Sequence, residues 1–241
     1  MMTHDHSSCA HHAGTAPTAA ADASSSTALQ LLPAEIAGVR IPDSPLAQVV
    51  TGLVREASPQ PLFNHVARSF VFGSTFGAFK GLKYDPELFF VAALMHDLGL
   101  TERYTADARF EVDGADAAAA ILRERGYPES KIDIVWEAIA LHASMEIAPR
   151  RSPEVALVHI GTFMDAGANA DKFPAAFFDQ VFEALPSLGN MAHLIESFGN
   201  LLRRKPHTAY LAFQTDIARR TNPDFNPPNF CDIVRPAPFS G

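Results

Sequence analysis

Histidine and aspartate recur on apolar helical stretches of this chain, at His65, at the adjacent pair His96-Asp97, at His142 and at Asp165. Imidazole nitrogen together with carboxylate oxygen is the donor set of Zn, Fe, Mn and similar ions. The centre is Phe89 to Gly99, FFVAALMHDLG, which sets two metal-capable side chains next to each other at the end of an almost wholly apolar segment. A helix apolar on every face is buried, and an unpaired buried charge is very costly. His96 and Asp97 therefore need partners, and a bound divalent cation satisfies both. Neighbours on a helix differ by about 100° in azimuth, yet both can reach an ion at the side of the helix end. One histidine on an apolar face is more often a satisfied core residue than a ligand. Several helices that each carry such a residue are harder to assign to packing alone.

The elements that must position these residues read as helices throughout. Pro45 and the Ser58-Pro59-Gln60-Pro61 run bracket a short helix over 45–56, and a longer one runs from Pro61 to Phe79 with His65 on its inner face. Asp85 as N-cap and Pro86 at the first helical position open the central helix, and Gly99 reads as its stop. Residues 100–112 read as a polar loop, with Asp113 capping a helix to Arg125. Ile132, Val135, Ile139 and His142 repeat at three or four residues, as do Val155, Val158, Thr162 and Asp165, which is the helical period. Further helices fit 174–184, 190–204 and 206–220. No alternating strand pattern or internal repeat is present, so the expectation is an all-α bundle with a buried metal site.

The 241 residues are 47% hydrophobic and 19% charged, with a formal net charge of −8. That balance argues against nucleic acid or an anionic membrane as the main partner. The two cysteines, Cys9 and Cys231, give no disulfide framework, and a reducing, cytoplasmic setting is the simplest fit. No secretory signal pattern or membrane-length apolar run is evident. Residues 1–28 read as a disordered His/Ala/Ser-rich tail whose His4, His6, Cys9, His11 and His12 offer at most weak metal binding. Residues 29–221 read as the helical domain and 222–241 as an irregular extension. The last third carries helical pattern without nameable chemistry, and reads as a cover for the pocket or as a homo-oligomer contact.

The order His65, His96-Asp97, Asp165, with MHDLGL as its core, resembles the HD-domain superfamily of metal-dependent hydrolases over about residues 46–220. The resemblance implies a helical bundle whose metal is held by His65, His96, Asp97 and Asp165. Four segments, LFNHVARSFVFG, FFVAALMHDLGLT, RFEVDGADAA and EAIALHAS, look more narrowly like the cyanamide hydratase group. That likeness implies Zn²⁺, with Fe or Mn as alternatives, and hydration of cyanamide to urea. Bound Zn²⁺ can lower the pKa of its water to about 7, giving the hydroxide for attack on a nitrile carbon. Asp97, His142 and Glu111 are then the candidates for moving the proton, and Thr162 and Asn169 for holding substrate. His159, off the inner stripe, reads as a core histidine, which favours one metal over two. The 18 Phe, several near the ligands, suit a small uncharged molecule. The competing expectation is an HD-type phosphohydrolase, for which Lys80, Lys83, Arg103 and Arg109 are the available cations. A third is a non-catalytic protein with a structural metal, disfavoured because every expected ligand is present.

Overall fold

Prolines and short polar side chains start the helices that carry the site. In the computed structural model, which describes residues 32–234, Pro45, Pro61, Pro86 and Pro153 each lie in the first turn of a helix. There the missing N–H costs nothing. These helices are α1 (Pro45–Ala57), α2 (Gln60–Lys80), α3 (Pro86–Met95) and α6 (Pro153–Asp165). Ser44 caps α1 through the Ala47 N–H at 3.1 Å. Asp85 caps α3 through the N–H groups of Glu87 and Leu88, each at 3.1 Å. Between α3 and α6 lie α4 (Phe110–Glu124) and α5 (Glu129–Leu141); beyond α6 come α7 (Ala175–Ala184), α8 (Asn190–Arg204), α9 (Gln214–Thr221) and α10 (Phe230–Val234).

The apolar run of α3 is buried at every residue from Leu88 to Met95, and α1, α2, α5 and α6 pack round it. Among the described residues the fold is all-α apart from a two-stranded hairpin, β1 (Glu35–Ile36) against β2 (Val39–Arg40). Its turn, Ala37-Gly38, takes positive φ at both residues, the turn that suits the twist of paired strands. Among the described residues no helix is long and apolar enough to cross a membrane.

Several local expectations are corrected. The central helix ends at Met95, and Leu98–Leu100 tightens into a 3-10 turn. Gly99 does not stop the helix by a left-handed turn. It is needed because a Cβ there would overlap the Phe110 carbonyl at the start of α4. Asp113 does not cap α4, which begins earlier, at Phe110. Its carboxylate instead takes the N–H groups of Ala106 and Ala108, at 2.8 and 3.0 Å, and so folds the loop before the helix. The expected helix over 206–220 is broken into a 3-10 turn, Pro206–Ala209, and α9. The helix α10 lies where an irregular extension is expected. The His-rich stretch 1–28 lies outside the described residues.

Candidate metal centre

Helices α2 and α6 meet with their backbones almost in contact. A Cβ on Gly161 would overlap the Ser69 carbonyl, and one on Gly73 would stand 2.7 Å from the Leu157 carbonyl oxygen. The two contacts fix an antiparallel register in which residue numbers on the facing helices sum to 230. One turn further along, the same register brings His65 of α2 opposite Asp165 of α6. His65 Nδ1 is 2.6 Å from Asp165 Oδ2.

His96 and Asp97 leave the end of α3 and meet His65 from the side. His96 Nδ1 lies 2.7 Å from the Ala93 carbonyl oxygen. Carbonyl and carboxylate oxygens only accept, so His65 and His96 each carry a hydrogen on Nδ1, and the neutral ring keeps its lone pair on Nε2. Both Nε2 atoms face Asp97 Oδ2, His65 at 3.5 Å and His96 at 3.4 Å. Three acceptors thus converge, and all three residues are buried. Donor atoms about 2.1 Å from a tetrahedral ion stand about 3.4 Å apart, which these separations match. His65, His96 and Asp97 form a buried group whose donor atoms all lie within 4.8 Å of one another. The chemistry and spacing of this set fit a divalent metal.

The titration of the group reports the same demand for positive charge. Burial alone would raise the Asp97 pKa, but His96, His65 and His142 hold the carboxyl well below the usual range. Burial would lower His96, yet the adjacent Asp97 carboxylate outweighs it and raises the pKa. The pull on His96 Nε2 that raises its pKa is the attraction a bound cation would satisfy.

Asp165, expected as a ligand, stands behind His65. Arg68 grips it with a two-point fork, Nε to Oδ1 at 2.6 Å and Nη2 to Oδ2 at 2.8 Å. Both carboxylate oxygens are therefore engaged. Burial pushes the Asp165 pKa up, and Arg68 and His65 together bring it below its ordinary value. A carboxylate on the far nitrogen of a ligating histidine fixes the ring's tautomer and orientation and makes Nε2 a better donor. Arg68 is fully buried and also donates to the carbonyls of Leu185 and Pro186, at 3.0 and 3.2 Å. It is the residue of this site that sequence reasoning missed. The available signal was an arginine within the apolar run FNHVARSFVF, three residues after His65.

His142 ends α5 with its ring edge-on to His96, 4.8 Å between centroids, and its Nε2 3.8 Å from Asp97 Oδ1. Its Nδ1 hydrogen goes to the Ile139 carbonyl at 2.6 Å, so Nε2 is left as an acceptor. Burial, followed by repulsion from His96, pushes its pKa down to about 4. Thr162 places Oγ1 3.4 Å from His96 Nε2 while giving its own hydrogen to the Val158 carbonyl, so it presents lone pairs to the site. Glu111 is buried on the first turn of α4 and is among the charges felt by His142. Asn169 is not brought in: α6 ends at Asp165, the chain turns through Gly167, and the Asn169 amide oxygen accepts from Lys172 in a surface turn. His159 donates to the His142 carbonyl at 2.7 Å and packs on Phe163. Burial lowers its pKa despite that bond.

None of the cations considered for phosphate has a contact to His65, His96 or Asp97. Lys80 lies over the rings of Phe76 and Phe79, Arg103 pairs with Glu56, Arg109 pairs with Glu111, and Lys83 is exposed.

No curated protein matches the sequence. Residues 62–167 do match the family model of the HD domain. The match spans α2 through α6 and contains His65, His96, Asp97 and Asp165, so this part of the chain is similar to the HD domain.

Proposed function

We propose that the protein is a metal-dependent hydratase that adds water to the carbon of a small neutral nitrile, cyanamide first among them, to give urea. The observation that carries this reading is the convergence of His65 Nε2, His96 Nε2 and Asp97 Oδ2 with no donor among them. Three protein donors leave coordination positions open, as catalytic rather than structural sites do. When bound, a divalent ion such as Zn²⁺ acidifies water toward neutral pH and stabilises developing negative charge.

The chain's own residues supply the rest. Asp165, neutralised by Arg68, holds the His65 ring with its Nε2 inward. Asp97 is then the one carboxylate of the group without an arginine, so the site retains the positive charge of a divalent ion in excess. His142 is neutral at pH 7, and its Nε2 receives the proton released as water adds to the nitrile carbon. The same atom returns that proton to the nitrile nitrogen, giving the isourea tautomer, which rearranges to urea. Glu111 assists beside His142, and Thr162 Oγ1 accepts from water or substrate. Likeness of the segments around His65, His96, Glu111 and His142 to cyanamide hydratases supports the choice of substrate. The lack of an uncommitted cation near the group, among the described residues, speaks against phosphoesters.

The test is urea release from cyanamide by zinc-loaded protein, with His96→Ala in parallel and zinc counted by elemental analysis. The expected result is urea from the wild type, and both urea and bound zinc lost in the variant. Wild-type protein holding one zinc per chain yet making no urea would rule cyanamide out.

A further inference from the structure

Two buried oxygens on α4 and α9 have no donor. Glu111 on α4 is 1% exposed, and Gln214, which opens α9, is 2% exposed. Gln214 Nε2 donates to Glu111 Oε1 at 2.7 Å, and Arg109 Nη2 donates to the same oxygen at 2.8 Å. A carboxylate only accepts, so the amide NH₂ must be the end of Gln214 that faces it. Glu111 Oε2 and Gln214 Oε1 are left buried and unpartnered. Buried oxygens without donors are costly, and here two occur on side chains already joined by a hydrogen bond.

Their place in the fold connects them to the chemistry. Phe110, the residue before Glu111, sets its ring edge-on to His142 at 5.4 Å between centroids, and to Phe213, the residue before Gln214, at 6.4 Å. Arg109 is engaged on Glu111. What remains is an acceptor pair in an aromatic wall, suited to a neutral or cationic ligand bearing N–H groups and hostile to an anion.

We infer that Glu111 Oε2 and Gln214 Oε1 together receive two N–H groups of the substrate, so that Gln214 sets the site's specificity for primary amino nitriles and ureas. The inference rests on the hydratase reading. Cyanamide and urea carry such N–H groups; alkyl nitriles and dialkylcyanamides do not. A site built to accept a hydrogen bond discriminates strongly against an analogue without the donor, because its own polar atoms are then left bare. Gln214 lies beyond the residues matched to the HD domain, so substrate choice is assigned to the C-terminal helices and metal holding to α2–α6.

The experiment uses a pair of ligands of one shape. 1,3-Dimethylurea offers two N–H groups on one side; dimethyl carbonate replaces both by oxygen. Their binding to the zinc-loaded full chain is measured by ligand-observed NMR for the wild type, Gln214→Met and Gln214→Asn, with thermal melts confirming that each variant is folded. The wild type should prefer the urea by about tenfold or more. In whichever variant folds, that preference should fall to within about twofold, and KM for cyanamide should rise more than kcat falls. Equal binding of the two ligands by the wild type, or a preference kept by the folded variants, would mean that the oxygens hold only a buried water. An N–H preference that Gln214 controls, in a protein that makes no urea, would leave the acceptor pair standing and remove the hydratase reading. Urea production without the preference would do the reverse.

Discussion

The segment from α2 to α6, with α7 packed on its core through Val181 and Leu185, and the segment from α8 to α10 are built on different terms. In the first, glycines let backbones touch, and the ionisable groups of the site are held by named partners: Asp165 by Arg68 and His65, His96 by Ala93, His142 by Ile139. In the second, a small apolar cluster of Phe198, Leu201, Leu202, Ala209 and Ala218 gathers round Phe110 of α4. Leu188, Ile195, Leu211 and Phe230 are exposed there, as Phe79, Met145 and Ile147 are on the α2–α6 segment, so what differs is the size of the buried cluster. Close packing transmits strain and holds side chains in place, whereas a thin cover with few buried apolar contacts opens at lower cost. The lesson is a division of labour: a stiff frame that fixes donor atoms, and a looser cover that reaches in with a few polar side chains.

The sharpest way to break this contrast is Arg68→Met. It leaves the Asp165 carboxylate buried without its counter-charge, and a loss of about 3–5 kcal/mol is expected, read as a fall in the denaturant midpoint. A change under about 1 kcal/mol would show that the frame is not organised by this pair. Next in size is an acid effect on the metal-free protein. Burial, then repulsion from His96, pushes His142 in the folded protein down to about 4, from the ordinary imidazole value of 6.5. As pH falls from 6.5 toward 4 the unfolded chain therefore binds a proton that the native chain does not, and stability is lost. The loss attributable to this residue reaches roughly 3 kcal/mol near pH 4. Denaturant melts at pH 7 and pH 4.5 should show it in the wild type and much less of it in His142→Asn. The smallest effects compare frame with cover directly. Gly161→Ala, which pushes a methyl into the Ser69 carbonyl, should cost about 1–3 kcal/mol, while Leu211→Ser on the exposed cover should stay within about 0.5 kcal/mol. Equal shifts in the two melts would erase the distinction.

How far the sequence could be read follows the same division. The frame was legible because its signals are local: prolines at first turns, Asp85 as a cap, and a three-to-four-residue spacing that sets His65, His142 and Asp165 on inner faces. What escaped depended on residues far away in the chain. Arg68 resembles any charged helix residue until its partners, 97 and 117 residues further on, are known. Asp113 looks like a helix cap because aspartate favours that position, yet the loop in front of it and Lys205 claim its carboxylate. Gln214 sits in a polar helix with no pattern to mark it, and its partner Glu111 lies 103 residues back in the chain. Asn169 failed for the converse reason: nearness in sequence to Asp165 does not survive the turn at Gly167.

The reach of Arg68 has a further consequence, for the order in which the molecule is made. During synthesis the arginine emerges 97 residues before Asp165 and 118 before the Pro186 carbonyl that completes its shell. Domains fold as units as the chain lengthens, and a guanidinium does not enter an apolar core ahead of its acceptors. When the HD-matched stretch ends at residue 167, Arg68 has its counter-charge, Asp165, but not the carbonyls of Leu185 and Pro186. A fragment cut at the end of the match carries every candidate ligand without the two backbone acceptors that complete the shell of Arg68.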